Sequence, residues 1–429
     1  MRVFKFGGAS VKDADSVKNV AAILRLFHEG PLVIVVSAMG KTTNALEKVV
    51  QTHCNAGGNA FSLLDDVRKY HLDIMDELFS DPSDPVYGLV NNFFVEAEWI
   101  LEEEPRPYDF VYDQIVSIGE LVSTAILSAW LNREGLPNRW LDVRDCLITD
   151  DNYREARVDW PLTGERIRNN VARLIGADCR MVVTQGFIGA TADNYTTTLG
   201  REGSDYTAAV FSHFLDAESV TIWKDVPGVL NADPRYFTDA QKLEQLSYSD
   251  AIELSYYGAS VIHPKTIKPL ENKDIPLYVK SFRDPGSRGT VIGKNLQTKP
   301  QVPSFILKND QMLISLSAKD FSFIAEDNLS EIFGIFAALS VKINLMQNSA
   351  ITFSVCVDDD PMKTPQLLAR LQQDYRLRYN TGVQLYTVRY YYPSTLEMLS
   401  DKREILLEQR SRTTAQLVMR SGNIEHLNK

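Results

Sequence analysis

The residues that most directly suggest chemistry lie at the start of the chain, where a strand carrying Lys5 runs into Gly7 and Gly8 and then into a helix. Adjacent glycines let the backbone approach a bulky anion closely, and the amides at a helix N-terminus favour negative charge. The Lys5 ammonium can follow a phosphoryl group from donor to acceptor. The segment predicts a phosphoryl-transfer site, although an isolated Gly-Gly pair is equally typical of an ordinary strand-to-helix turn.

A second candidate site begins at Gly200 and ends at the start of a helix predicted over 206–214. Arg201 can clamp a carboxylate through two parallel hydrogen bonds. Ser204 and Asp205 stand in the first turn of the predicted helix, where free amides bind carboxylate or phosphate oxygens. A helix cap alone explains Ser204 and Asp205 but not the Gly-Arg pair, so the turn predicts a small anionic ligand.

Two weaker candidates lie between these segments. Residues 37–42 follow an apolar strand and end in Gly-Lys-Thr, but a P-loop needs glycine where Val35 stands. The segment is instead predicted to be a turn at the carboxyl end of a strand, where open α/β sheets bind ligands. Ser37 lies in it and Thr42 and Thr43 offer hydroxyls at its end, although an ordinary helix cap by Thr42 or Thr43 also explains them. Glu120 lies in an apolar helical pattern and is either a ligand for an ammonium group or a solvated side chain.

Later turns add candidates for a nucleotide site. Lys224 and Asp225 follow a strand, and Asp233 and Arg235 come shortly after. Lys224 and Arg235 are suited to contacting phosphates, although a plain Pro-Gly turn also explains the first segment. His263, in a further turn, is expected to be a packed or capping histidine rather than a catalytic one.

Composition excludes several classes of protein. The 429 residues are 44% hydrophobic and carry a net charge of -11, which argues against nucleic acid or an anionic membrane as partner. We expect no membrane span, no export and a cytoplasmic location. The four cysteines lack Cys-x-x-Cys spacing and the six histidines are dispersed, so we expect reduced thiols and no protein-held metal.

Hydrophobic patterning predicts an α/β protein with an open, mostly parallel sheet between helices, followed by a small α+β module. Residues 1–292 form the predicted catalytic domain, 293–303 a linker, and 304–382 a ferredoxin-like βαββαβ module. Residues 383–429 are predicted to be a shortened second copy with a strand at 383–392, a helix at 396–408 and a strand at 415–419.

Together these segments resemble the aspartate kinase family, which has the amino-acid kinase fold. The resemblance is carried, in the family's order, by Lys5-Phe6-Gly7-Gly8-Ala9-Ser10, Thr43-Asn44, Gly119-Glu120-Leu121, 200–205, 225–228 with 233–235, and Gly258-Ala259 with His263-Pro264. It implies that the chain transfers the γ-phosphoryl group of ATP, carried with Mg²⁺, to the side-chain carboxylate of L-aspartate. The product, 4-phospho-L-aspartate, begins the route to lysine, threonine and methionine.

The resemblance also implies roles for individual residues. Lys5, Gly7 and Gly8 would bind the transferring phosphoryl group, and Asp205 would order the substrate pocket. The implied aspartate-binding residues are Ser37, Thr43, Glu120, Arg201 and Ser204. The implied nucleotide-binding residues are Lys5, Gly7, Gly8, Lys224, Asp225, Asp233, Arg235 and Ser260. Many relatives have lysine where Ser260 stands and threonine where Lys224 stands, so Lys224 is predicted to supply the missing cation.

Residues 329–336 and 341–345 resemble the ACT regulatory modules of the same family. This likeness implies a monofunctional, homodimeric or larger assembly regulated by an end-product amino acid, with Asn344, Asn348 and Ser349 at the effector positions. Asn344 replaces an aspartate common in regulated relatives, which makes lysine a less favoured effector. Two alternatives stay open: a kinase of a related acidic amino acid, and a catalytically weak amino-acid sensor.

Overall fold

The computed structural model describes residues 1–27, 29–55, 57–176, 178–259, 262–320, 322–401 and 403–420. The chain forms two compact units. Unit 1 comprises Met1–Val229, Glu244–Ile252 and Val261–Thr298, and unit 2 comprises Leu230–Leu243, Glu253–Ser260 and Lys299–Lys429. Unit 2 thus includes two short segments from the range assigned above to the catalytic domain, and the proposed functional division of the chain remains a prediction.

Unit 1 is built on a mostly parallel sheet with the strand order β3-β4-β2-β1-β7-β9-β10-β8, in which β10 runs antiparallel to β9. Its strands are β1 (Arg2–Phe6), β2 (Leu32–Val36), β3 (Asn138–Leu141), β4 (Met181–Gln185), β7 (Ser219–Lys224), β8 (Gln245–Ser247), β9 (Leu277–Ser281) and β10 (Thr290–Gly293). A separate hairpin joins β5 (Ile188–Ala190) to β6 (Thr196–Thr198). Every residue of β2 is buried, as expected for a parallel strand covered on both faces.

The helices of the chain are α1 (Ala14–Phe27), α2 (Thr42–Cys54), α3 (Ala60–Leu78), α4 (Pro85–Glu102), α5 (Tyr108–Val116), α6 (Ile118–Arg133), α7 (Trp160–Leu174), α8 (Gly203–Phe214), α9 (Tyr248–Tyr257), α10 (Pro264–Glu271), α11 (Glu326–Ala338), α12 (Lys363–Leu371) and α13 (Pro393–Ser400). Apolar residues occupy all faces of α6, and nearly all of it is buried. The stretch Tyr108–Arg133 is long and apolar enough to cross a membrane by composition, but 83% of its apolar 18-residue portion is buried inside the fold. Such burial is typical of a core helix.

Unit 2 contains a six-stranded antiparallel sheet with the order β12-β13-β11-β14-β16-β15. Its strands are β11 (Ser304–Ala318), β12 (Ile343–Asn348), β13 (Phe353–Asp358), β14 (Tyr375–Arg389), β15 (Ile405–Arg410) and β16 (Thr414–Arg420). The order β11-α11-β12-β13-α12-β14 is the predicted βαββαβ pattern. Helices α11 and α12 pack their apolar faces on this half of the sheet through residues such as Ile332, Phe336 and Leu367.

The second half of unit 2 departs from the prediction. The helix predicted over 396–408 is wrong: α13 ends at Ser400, and Ile405–Arg410 form β15. Pairing with β16, in which Ile405 lies opposite Met419, overrides the helix propensity of this segment. Strand β14 also runs without interruption across the predicted boundary at 382/383, so the two halves of the sheet share one long strand.

Candidate active site

The glycines after β1 meet the turn after β2 at the carboxyl edge of the sheet. The Gly40 amide donates to the Gly8 carbonyl at 3.0 Å. A Cβ at Gly8 would lie 2.7 Å from the Ala38 carbonyl oxygen and 2.9 Å from that of Gly40. Only glycine fits there, and the two loops form one backbone cradle at the edge where open α/β sheets bind ligands.

Lys5 extends from β1, near the middle of the sheet, toward the start of α8. Its Nζ lies 2.6 Å from Oδ1 of Asp205, and the Nζ of Lys224, at the end of β7, lies 3.7 Å from Oδ2 of the same carboxylate. Burial alone would raise the pKa of Asp205, but the charges of Lys5 and Lys224 outweigh it and lower the pKa below its usual value. The structure therefore joins the first and second candidate segments through an ionised, buried carboxylate.

Glu120 lies in the first turn of α6 and is 2% exposed. Its Oε1 accepts a hydrogen bond from the Ala38 amide at 3.3 Å, and its Oε2 has no hydrogen-bond partner among the described residues. Burial raises the pKa of Glu120 to about 8, with the backbone hydrogen bonds and the charge of Lys5 opposing the shift. The solvated alternative for Glu120 is excluded, and the unpartnered oxygen indicates a position for a cationic ligand.

Small residues bring the remaining substrate candidates together. A Cβ at Gly119 would lie 2.9 Å from the Thr42 methyl group, so α6 and α2 approach closely where Glu120 and the half-buried Thr43 begin their helices. Ser37, also half-buried, directly precedes Ala38, whose amide binds Glu120. Ser204 is buried against Gly186, where a Cβ would lie 2.5 Å from the Ser204 Cβ.

Arg201 is exposed on the turn that links β6 to α8. The next residue, Glu202, has a φ of 55°, and its Oε2 accepts a hydrogen bond from the His263 amide at 2.7 Å. Glu202 is thereby engaged with the start of α10. His263 is the N-cap of that helix, and its ring accepts from the Lys265 amide, which is the capping role expected from the sequence.

Comparisons with known proteins agree with this geometry. Residues 1–281 match the amino acid kinase family. The chain is 32% identical to lysine-sensitive aspartokinase 3 of Escherichia coli, over 89% of this chain and 85% of that protein. It is 30% identical to chloroplastic aspartokinase 1 of Arabidopsis thaliana, over 85% of this chain and 65% of the relative.

The chain belongs to the aspartokinases of the amino acid kinase family. Its fold is similar to that of E. coli aspartokinase III in complex with aspartate and ADP, with a TM-score of 0.82, 27% identity, and coverage of 98% of this chain and 96% of that one. The same E. coli enzyme in complex with lysine and aspartate gives a TM-score of 0.78 at 27% identity, covering 97% and 95% of the two chains. The chain is therefore a kinase, as the sequence predicts.

The remaining residues predicted to bind the nucleotide belong to different units of this aspartokinase. Asp225 is exposed in the turn that follows Lys224. Asp233 and Arg235 belong to unit 2, where the guanidinium and the carboxylate form a bidentate ion pair. Ser260 lies outside the described residues. The roles of these residues stay predictions.

The predicted effector positions of the aspartokinase lie on and after β12. The Asn344 side chain accepts from Lys308 Nζ at 2.8 Å and donates to Gln311 and Asp358. Asn348 and Ser349 are exposed. Their assignment to effector binding also stays a prediction.

Sequence reasoning missed a buried polar cluster around α5. Asp113 is fully buried and accepts hydrogen bonds from Thr198 and from the Arg154 amide. Burial raises the pKa of Asp113 to about 6, and the hydrogen bonds oppose the shift. A lone acid between Tyr112 and Ile115 in an apolar helix was the available sequence signal, since such a group is buried only at a cost.

In the part of the chain that the structure describes, no group of three or more His, Cys, Asp or Glu side chains is arranged to bind a metal ion. Cys54, Cys146, Cys179 and Cys356 are free thiols.

Proposed function

We propose that this aspartokinase transfers the γ-phosphoryl group of ATP to the side-chain carboxylate of L-aspartate at the cradle beside Lys5. The observation that carries the proposal is the 2.6 Å contact between Lys5 and Asp205, which joins the phosphate-type glycine turn to the helix that follows the Gly-Arg turn. The E. coli enzyme of similar fold was solved in complex with aspartate and ADP, which supports aspartate and an adenine nucleotide as the ligands of this chain.

The substrate is proposed to bind through its two α-substituents. Arg201 pairs with the α-carboxylate, and the buried Glu120 accepts the α-ammonium at its unpartnered oxygen. Thr43, with Ser37 and Ser204, lines the pocket. The side-chain carboxylate is then directed to the phosphoryl group as the attacking nucleophile.

The chemical step depends on positioning and charge. A carboxylate is already a nucleophile at neutral pH and needs no general base. The obstacle is repulsion between two anions, which the buried Lys5 ammonium and the amides of Gly7 and Gly8 reduce. The ionised Asp205 holds Lys5 at this position.

The nucleotide is proposed to bind with its phosphates at the Gly7-Gly8 cradle. A cradle that a Cβ would fill fits a phosphate group. Mg²⁺ arriving with ATP would supply charge neutralisation. Lys224 and Asp225 are proposed to contact the nucleotide from the end of β7.

The role of Lys224 has a direct test. Lys224→Ala is expected to raise the KM for ATP about tenfold while the KM for aspartate changes less than twofold, because one phosphate contact is lost. An unchanged KM for ATP would contradict the assignment.

We propose that the ACT-like part of unit 2 binds an end-product amino acid and that the enzyme works in the cytoplasm as a homodimer or larger homo-oligomer. The solved complex of the E. coli relative with lysine supports an amino-acid effector. Because the E. coli relative at 32% identity is named lysine-sensitive, lysine is the first effector to test, contrary to the expectation from the uncharged Asn344, with threonine and methionine beside it.

The proposed function is tested by a hydroxamate assay with ATP, Mg²⁺ and L-aspartate, run beside L-glutamate and N-acetyl-L-glutamate. Aspartyl hydroxamate as the dominant product is expected. A preference for either glutamate compound would replace the proposal by the related-kinase alternative, and no product with any of them would favour the sensor. Repeating the assay with lysine, threonine or methionine identifies the effector.

A further inference from the structure

Asp113 joins the backbones of two loops. Both of its carboxylate oxygens accept from the Arg154 amide, at 3.1 and 3.0 Å. Its Oδ2 also accepts from the Thr198 amide at 2.8 Å, and its Oδ1 accepts from the Thr198 hydroxyl at 2.7 Å. One fully buried carboxylate thus fastens the loop at 154–156 to the end of β6.

These two loops also contact each other directly beside Arg201. The Ala156 amide donates to the Thr198 carbonyl at 3.0 Å. Gly200 has a φ of 75°, and a Cβ there would lie 3.1 Å from the Arg154 carbonyl oxygen. Arg154 itself has a φ of 69°, a conformation that an arginine adopts at a cost and that the hydrogen bonds to Asp113 stabilise. The backbone that leads into Arg201 is therefore fixed from the Asp113 side.

Asp113 and Glu120 lie on one nearly continuous helical segment. Helix α5 ends at Val116, and α6 begins at Ile118 after the single residue Ser117. Asp113 and Glu120 thus lie seven positions apart in an almost continuous helical stretch, on about the same side of it. The carboxylate that anchors the Arg201 turn is carried by the segment that presents Glu120.

We propose that Asp113 is a positioning residue that sets the distance between Glu120 and the Arg201 turn, and so determines recognition of the α-ammonium and α-carboxylate of the amino-acid substrate. The inference rests on the proposed function, because it takes Glu120 and Arg201 as the groups that bind those substituents. A residue of this kind acts on amino-acid binding and leaves the nucleotide cradle at Gly7-Gly8 unaffected.

The test is Asp113→Asn in the full chain. The amide keeps the size of the carboxylate, and with its oxygen at the Oδ2 position its NH₂ group can donate to the Thr198 hydroxyl. That NH₂ group meets the Arg154 amide, which bonds Oδ1 in the wild type, so the bridge to the loop at 154–156 is weakened. The KM for aspartate is expected to rise about tenfold or more, while the KM for ATP stays within twofold of the wild-type value. An unchanged KM for aspartate, or an equal rise in both KM values, would overturn the inference.

Three further variants make the test specific. Thr198→Val removes only the hydroxyl donor and is expected to raise the KM for aspartate several-fold, whereas Thr198→Ser keeps the hydroxyl and stays near the wild-type value. Asp109→Asn, one turn earlier on α5, is the matched control: its carboxylate is 61% exposed and contacts the side chain of Arg154, at 3.5 Å, rather than its backbone amide. Equal KM values for aspartate in Thr198→Val and Thr198→Ser would also contradict the inference.

Hydrogen exchange gives a readout independent of activity. Asp113→Asn is expected to speed exchange of the Arg154 and Thr198 amides, and wild-type exchange rates at both would overturn the inference even in an inactive protein. A wild-type enzyme that forms no aspartyl phosphate would instead refute the proposed function. The two failures are therefore distinguishable.

Discussion

The buried carboxyl group of Glu120 predicts that recognition of aspartate depends on pH. Its pKa is raised to about 8 by burial, so at pH 7 the group is mostly protonated, and ionising it costs about 1 kcal/mol. The proposed contact with the α-ammonium requires the ionised form. We therefore expect kcat/KM for aspartate to rise about tenfold between pH 6 and pH 7 and to level off above pH 8.

The assay is a coupled measurement of ADP release at subsaturating aspartate and saturating MgATP, from pH 6 to pH 9. ATP and aspartate also titrate, so the matched control is Glu120→Gln, which has nearly the same shape and does not ionise. This variant is expected to lose about a hundredfold in kcat/KM at pH 8, because a buried charge pair is broken, and to lose the slope below pH 8 that the wild-type enzyme shows.

Three results would refute this reasoning. A wild-type kcat/KM that is flat between pH 6 and pH 8 would mean that Glu120 does not titrate there or does not meet the ammonium. The same slope in the Gln variant would assign the titration to another group. A slope in the KM for ATP rather than for aspartate would remove Glu120 from the amino-acid pocket altogether.

Three further outcomes are expected. The folded-state pKa of Glu120 lies above its ordinary value of 4.5, so between these values the folded protein holds a proton that the unfolded chain releases. The free energy of unfolding should therefore fall by roughly 5 kcal/mol as the pH rises from about 4.5 to 8. Urea titrations should show this fall in the wild-type protein and not in Glu120→Gln, and the same pH dependence in both would contradict it. Gly8→Ala should cut kcat/KM for ATP at least about tenfold, because the new methyl group meets two backbone carbonyls, whereas Gly88→Ala, a helical position with open space around it, should keep activity and raise stability by up to about 1 kcal/mol. Lys5→Met should lower kcat about a hundredfold or more in steady-state assays, with the exposed Lys48→Ala as control; a kcat within threefold of wild type would exclude Lys5 from the phosphoryl site.

The central strands of the parallel sheet were predictable because a strand buried on both faces has a nearly continuous run of apolar residues in its sequence. Residues 2–6, 32–36 and 181–185 are apolar runs between turn residues, and the structure forms strands over those same ranges. Short strands such as β5 and β6 have no such run, since three-residue elements are specified by their neighbours rather than by their own sequence. The helix prediction for residues 405–410 was wrong for the same reason: pairing with β16, not the local sequence, makes this segment a strand.

The candidate site was predictable where glycine or charge marks it and not where burial decides its chemistry. Gly8 and Lys5 stand out in the sequence, since a close backbone approach requires glycine and a lysine in an apolar strand requires a partner. The choice between a solvated and a buried Glu120 depended on how α6 packs. The hydrogen bonds of Asp113 with Thr198 join residues 85 positions apart, which no local pattern encodes.

The buried charges of the proposed site suit it to two anionic substrates. Lys5 and Lys224 flank Asp205, whose pKa is lowered, while Glu120 stays mostly protonated at neutral pH. The two ammonium groups therefore exceed the one ionised carboxylate. The Lys5 Nζ lies beside the glycine cradle, 3.5 Å from where a Cβ at Gly7 would be, and a phosphate group there would neutralise the excess charge. Aspartate, in turn, brings the ammonium that favours ionisation of Glu120. Each substrate thus supplies the charge that its own side of the crevice lacks, and a ligand with the side-chain carboxylate but without the ammonium, such as succinate, would leave Glu120 protonated and bind without the pH dependence expected for aspartate.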